Sequence, residues 1–282
     1  MRKYRWCVWC TVWFAGLAVQ LSAQKAAWKV GMQTYTFHHL TLMETLDKTR
    51  ELGLGYTEAF FFQELGAPFP KDTYLNYDLS DSDCALLRGE FKRRGIRPMA
   101  FGVASYGTEA EWERFFAFAH KMGAQVVTVE PELDQLDAIE RLAVKYGMEV
   151  AIHNHPHPSI YASAEVVARA LKGRSARMGV CADIGHWKRV GEDPLANLKL
   201  LAGRIKVAHL KDLDEELQDA TWGKGMLPVK AFVKELKRQG CEGLISIEYE
   251  QFDADQLGGI AESLRYLEEC DSSEIGVTGF CN

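Results

Sequence analysis

The feature that most constrains this chain is a repeated alternation of two segment types. Short runs rich in β-branched residues alternate with stretches whose apolar residues recur at helical spacing. Strands are read at Lys29–Gln33, Tyr56–Phe60, Ile96–Val103, Gln125–Glu130, Val150–His153, Met178–Asp183, Ile205–His209 and Leu244–Glu248. Helical patterns occupy Met43–Leu52, Glu109–Met122, Leu133–Tyr146, Ala164–Leu171, Pro194–Leu201, Val229–Arg238 and Leu257–Glu269, with a further helix ending at Gly95. Gly53, Gly123 and Gly147 stand where left-handed caps close such helices. Strands alternating with helices predict parallel βαβ units. Eight of them in about 250 residues predict a single α/β domain, a (β/α)8 TIM barrel. An open doubly wound sheet is the alternative, but the even spacing and the lack of a glycine-rich phosphate loop speak against it. The long connection from Phe61 to Asp81, rich in aromatics and prolines, reads as either a lid or a decorated loop.

The first residues are set apart from this pattern. Arg2, Lys3 and Arg5 precede an apolar run, Trp6–Val19, and Gln20-Leu21-Ser22-Ala23 follows. This order predicts a signal peptide over residues 1–23, with the barrel over 24–282 and an exported, periplasmic protein. The apolar run is short for a membrane span, which needs about 20 such residues, so no stable membrane insertion is expected. Without residues 1–23 the chain has 30 basic and 39 acidic residues, a net charge of −9. That charge and the lack of a basic run make nucleic acid a poor partner. Five cysteines remain, Cys84, Cys181, Cys241, Cys270 and Cys281. An odd, scattered set is not a disulfide framework, although Cys270 and Cys281 are near enough in sequence to pair.

In a TIM barrel the C-terminal ends of the strands share one mouth, where active sites lie. The last five strand ends here read Glu130, His153, Asp183, His209 and Glu248. Five ionisable groups closing five apolar strands are costly unless they share a task. Carboxylates with histidine form a ligand set for one divalent ion such as Mn²⁺, Mg²⁺, Co²⁺ or Zn²⁺. Further motifs surround them: Asp183-Ile-Gly-His186, His209-Leu-Lys-Asp212, Thr221-Trp-Gly-Lys-Gly225 and the histidine-rich Ala151-Ile-His-Asn-His155-Pro-His157. The literal His-Asn-His triplet is too short a signal for a nuclease finger.

These motifs resemble the xylose-isomerase-like TIM-barrel superfamily of sugar isomerases and epimerases, over about residues 28–270. The resemblance rests on Asp183-x-x-His186, His209-x-Lys-Asp212, Gly223-x-Gly225 and Ile247-Glu248. It implies metal ligation by Asp183, His209 and Glu248, with a fourth ligand from strand five. That strand ends in His153 where epimerases have Glu, so the fourth ligand is either Glu130 or His153, and the added negative charge favours Glu130. The implied chemistry is proton abstraction beside a carbonyl through an enediolate, with Glu130 and Glu248 as acid and base. His153, His155 and His186 would contact substrate hydroxyls, and Lys211 would stabilise developing charge. The expected substrate is a free sugar, keto-sugar or glycoside, because sugar phosphates are mainly intracellular; a homo-oligomer is compatible. Isomerisation or epimerisation is the first expectation and 3-keto-glycoside elimination or hydrolysis the second. A non-catalytic sugar-binding barrel is the reading from another class.

Overall fold

A computed structural model of the chain describes residues 29–251 and 255–272. The expected signal segment and Cys281, hence its pairing with Cys270, lie outside the described residues. Among those residues, eight parallel strands close into a barrel: β1 (Lys29–Gln33), β2 (Tyr56–Ala59), β3 (Arg97–Ala104), β4 (Val126–Val129), β5 (Glu149–His153), β6 (Met178–Asp183), β7 (Ile205–Leu210) and β8 (Leu244–Ile247). Each pairs with its chain neighbours, and β1 pairs with β8 to complete the ring. This is the expected (β/α)8 architecture, because parallel strands buried on both faces need the near-continuous apolar runs that the sequence supplies.

The surrounding helices are α1 (Leu42–Glu51), α2 (Asp81–Arg93), α3 (Glu109–Met122), α4 (Leu136–Tyr146), α5 (Ala164–Leu171), α6 (Ile184–Arg189), α7 (Pro194–Leu200), α8 (Val229–Arg238) and α9 (Gln256–Ser272). Thr41 and Thr108 start α1 and α3 with capping boxes, each threonine accepting from the N–H of a glutamate that reaches back to it. Gly123 and Gly147 end α3 and α4 in the left-handed region, where a side chain would be strained. Helix α3 buries Trp112, Phe115, Phe116, Phe118 and Met122, an apolar stripe wide enough to seat it on the barrel. None of the helices among the described residues is long and apolar enough to cross a membrane.

Two features position the mouth. The floor of the barrel is an apolar layer of Met99, Ala100, Val126, Ala151, Cys181, Val207 and Leu244, so the polar residues gather above it. The connection after β2 is packed down: Phe61, Leu65, Phe69 and Leu75 are buried, and Phe61 lies edge-on to Phe101, Phe115 and Phe118. It is a decorated loop anchored on the barrel by its own aromatics.

Candidate active site

The donors expected at the strand ends do converge, and local backbone chemistry explains their direction. Asp183 closes β6 and caps α6, its Oδ1 accepting from the N–H of His186 at 2.7 Å. Asn154 grips the Asp183 backbone from both sides, donating to its carbonyl at 2.9 Å and accepting from its N–H at 2.8 Å. These contacts leave Oδ2 facing the barrel interior. There it lies 3.8 Å from His153 Nε2, 3.4 Å from His186 Nε2, 3.7 Å from His209 Nδ1 and 3.3 Å from Lys211 Nζ. Register sets Asp183 directly opposite His209 on β7, while His153 is opposite Cys181, two residues before Asp183 on β6. Glu248, just past β8, brings Oε2 to 3.1 Å from His209 Nδ1 and 3.0 Å from Lys211 Nζ.

Four of these buried atoms, His153 Nε2, Asp183 Oδ2, His209 Nδ1 and Glu248 Oε2, make no hydrogen bond. An unmade hydrogen bond on a buried group costs about 1–3 kcal/mol, more when it is charged. Four of them in one region therefore fit a shared cation. The ligand atoms of Asp183, His209 and Glu248 all lie within 4.8 Å of one another, and His153 joins them through Asp183. With bonds of about 2.0–2.2 Å, the ligand atoms of one ion stand about 3–3.6 Å apart; here His209–Glu248, His209–Asp183 and His153–Asp183 stand at 3.1, 3.7 and 3.8 Å. Two imidazoles and two carboxylates make a donor set for a borderline divalent ion.

Each imidazole in the set is backed by a carboxylate. His153 Nδ1 donates to Glu130 Oε1 at 3.0 Å, and His209 Nε2 donates to Glu58 Oε2 at 2.7 Å. Paired in this way, the opposite ring nitrogen is the one turned toward the cluster. Glu130, expected as the fourth ligand, has both carboxylate oxygens engaged by protein groups. Its Oε1 takes N–H groups from His153 and from the ring and backbone of His155, and its Oε2 takes the Ser159 hydroxyl at 2.9 Å. The carboxylate therefore stands behind His153, and the strand-five histidine presents the atom aimed at the cluster. Adjacent strand ends point at slightly different depths, and strand order alone does not show which side chain reaches further.

Electrostatics follow from this crowding. Burial pushes the Asp183 carboxyl up, but the groups around it, His186 and Lys211 foremost, override that and hold it well below its ordinary range. Burial likewise opposes ionisation of Glu248, and Lys211 and His209 outweigh it. The Lys211 ammonium, almost fully buried, would be lowered by desolvation, yet Asp183 and Glu248 hold it well above its usual value. It lies in ion-pair range of both, while its directed hydrogen bond runs to Glu250 Oε1 at 2.9 Å. Burial drives His186 down to about 3, so it is neutral. Arg189 donates to its Nδ1 at 3.3 Å, which makes Nε2 a donor facing Asp183. His155, half exposed, lies at the rim.

Sequence reasoning missed Glu58, Asn154, Arg189 and Glu250. Asn154 was visible only inside the His153-Asn154-His155 triplet, whose members divide into cluster donor, backbone clamp and rim residue. The Gly223-x-Gly225 motif proves to be a latch: Asp212 Oδ2 accepts from the N–H groups of Gly223 and Gly225 at 2.9 and 3.0 Å.

A profile of the xylose isomerase-like TIM barrel family matches residues 46–270. A solved structure of an uncharacterized protein from Parabacteroides distasonis ATCC 8503 is 73% identical, with a TM-score of 0.74, covering 87% of this chain and all of that one. The inosose dehydratase of Lacticaseibacillus casei is 27% identical over a match covering 51% of this chain and 63% of that protein. The match thus spans less than two thirds of this curated relative. A zinc-bound IolI protein, 17% identical with a TM-score of 0.66 over 88% of this chain, shares the fold. With a profile match that runs from within α1 into α9 and a closed eight-stranded barrel to carry it, the chain belongs to the xylose isomerase-like TIM barrel family.

Proposed function

We propose that this chain is a divalent-metal-dependent enzyme that removes a proton beside the carbonyl of a keto-sugar or keto-polyol, and that the reaction ends in loss of water. The observation that carries the reading is the set of four buried ligand atoms that make no hydrogen bond, beside a buried lysine. His153, Asp183, His209 and Glu248 would hold the ion, which supplies Lewis acidity to a substrate carbonyl oxygen. Mn²⁺, Co²⁺ and Zn²⁺ suit this mixed donor set better than Mg²⁺, which favours oxygen ligands alone.

The protein groups divide the remaining work. Glu248 accepts the proton from carbon, since of the two cluster carboxylates it is the one open to the mouth, with 10% of its side chain exposed against 0% for Asp183. Lys211, held cationic, balances negative charge as it develops on the substrate oxygen. Neutral His186 donates from Nε2, and His155 contacts hydroxyls at the rim. Epimerisation needs an acid on each face of the substrate carbon. Glu130, the carboxylate expected on the second face, is engaged by His153, His155 and Ser159. Elimination needs one: the proton taken by Glu248 leaves with the hydroxyl of the next carbon as water, and a carbon–carbon double bond remains. The similarity to inosose dehydratases supports the same outcome.

The test is NMR in deuterated water with Mn²⁺-loaded protein, inosose and a panel of keto-sugars. Enone signals at the expense of substrate support dehydration. Deuterated stereoisomers without loss of water would replace elimination by epimerisation, and no deuterium exchange with any substrate would sink the proposal.

A further inference from the structure

Glu58 lies in β2, fully buried inside the barrel. A carboxylate there is tolerated only if its oxygens are paired. Both are: Oε2 accepts from His209 Nε2 at 2.7 Å and Oε1 accepts from the Thr128 hydroxyl at 2.5 Å. Each oxygen is thus turned to a protein partner. We infer that Glu58 is a positioning residue, which fixes the ring of His209 so that Nδ1 is the atom presented to the metal. This rests on the metal-binding reading above.

The reasoning starts from hydrogen-bond capacity. With the Thr128 hydroxyl donating to Oε1, Glu58 Oε2 accepts from His209 Nε2, so that nitrogen carries its hydrogen. Nδ1 is then the nitrogen that can offer a lone pair, and it is the one lying 3.1 Å from Glu248 and 3.7 Å from Asp183. Without Glu58 the opposite arrangement becomes favourable: Nδ1–H would donate to Glu248, and the lone pair would point away from the cluster.

Thr128 on β4 holds Glu58 in turn, and the backbone of β3 is shaped around Thr128. Gly102 has φ +144°, and a Cβ there would sit 2.1 Å from both Oγ1 and O of Thr128. Gly102, Thr128, Glu58 and His209 thus form one connected line across β3, β4, β2 and β7. The counterpart behind His153 differs in kind: Glu130 lies near the mouth with 16% of its side chain exposed, against 0% for Glu58. Glu130 is thus within reach of solvent, and Glu58 is not.

The experiment titrates Zn²⁺ into chelator-stripped full-length protein, comparing wild type, Glu58→Gln and Thr128→Val. Long-range ¹H–¹⁵N spectra of the zinc-loaded forms report which nitrogen of His209 is bound. Glu58→Gln is expected to weaken zinc by about 10–100-fold, as loss of such partners does elsewhere, and to alter the His209 Nε2–H signal. Thr128→Val should shift both readouts the same way by less. Wild-type affinity with an unchanged His209 pattern in folded Glu58→Gln overturns the inference. If that variant does not fold, wild-type affinity in Thr128→Val overturns it. Failure of the wild type to bind zinc removes the metal reading itself, an outcome distinct from a Glu58 that does not matter.

Discussion

Glu130 faces Nδ1 of His153 at 3.0 Å, so the carboxylate ending β4 supports the histidine that ends β5. On the proposed reading, that contact makes His153, not Glu130, the residue that would meet a metal. His153→Ala removes a donor atom and should abolish tight binding of the ion. Glu130→Gln keeps the ligand and removes only its partner, so the loss should be smaller, about tenfold or somewhat more. Titration of both variants with Mn²⁺ checks this. If His153→Ala binds like the wild type and Glu130→Gln does not, the assignment of the two residues is reversed.

Lys211 gives the second prediction, and its sign is informative. The ammonium stands 3.3 Å from Asp183 Oδ2 and 3.0 Å from Glu248 Oε2, so it repels any cation that those oxygens hold. Lys211→Met should bind Mn²⁺ at least as tightly as the wild type. Turnover should nevertheless fall by about 10²–10³, the typical loss when a group stabilising developing charge is removed. Calorimetry paired with a turnover assay separates the two effects. Weaker metal binding in Lys211→Met would show that the lysine is part of the scaffold.

The barrel and three of its cluster residues are legible in the sequence because each of the last five strands is a short apolar run closed by one ionisable group. Asp183, His209 and Glu248 break such runs at the same point, and a barrel brings equivalent points together. Glu58 has no comparable signal. The strand Tyr56-Thr57-Glu58-Ala59 is half polar and reads like any partly exposed strand, and its partner lies 151 residues away. The order of Glu130 and His153 is hidden for another reason: both end adjacent strands, and only side-chain direction distinguishes them. Helix α6 is six residues long, too short for a periodic pattern, although Asp183 three residues before His186 is an N-cap arrangement in hindsight.

The Asp212 latch yields a stability prediction. Its four acceptor contacts include Oδ1 to the N–H groups of Leu213 and Leu227, both at 2.9 Å. They fold the segment after β7 back onto the strand end that carries His209 and Lys211. Asp212→Ala leaves buried backbone donors without partners, each worth about 1–3 kcal/mol, so a clear drop in denaturation midpoint is expected. Gly225→Ala should act similarly, since its Cβ would meet Asp212 Oδ1 and Leu213 O at 2.4 Å. Chemical denaturation measures both, and a wild-type midpoint in Gly225→Ala would show that the loop opens without cost.

The last prediction concerns acid stability, away from the metal cluster. The Arg94 guanidinium, with 4% of its side chain exposed, ties α1 to the end of α2 by donating to Asp47 and Glu90. The hydrogen bond from Arg94 holds the Asp47 carboxyl below its ordinary 3.8, and the bond from Arg93, with burial opposing and Arg94 assisting, holds Glu90 below 4.5. Both groups are depressed in the folded state, so the stability they contribute is present above the ordinary carboxylate range. It is lost as pH falls through the folded values. The Asp47 side chain is 63% exposed, which limits its share to about 1 kcal/mol or less. In chelator-treated protein, Asp47→Asn should therefore melt below the wild type at pH 7, and the gap should close as pH drops below about 4. Thermal melts of the two proteins from pH 7 to pH 3 supply the measurement. A gap that stays constant or widens in acid would mean that Arg94 draws nothing from the Asp47 charge and that the contact acts by packing alone.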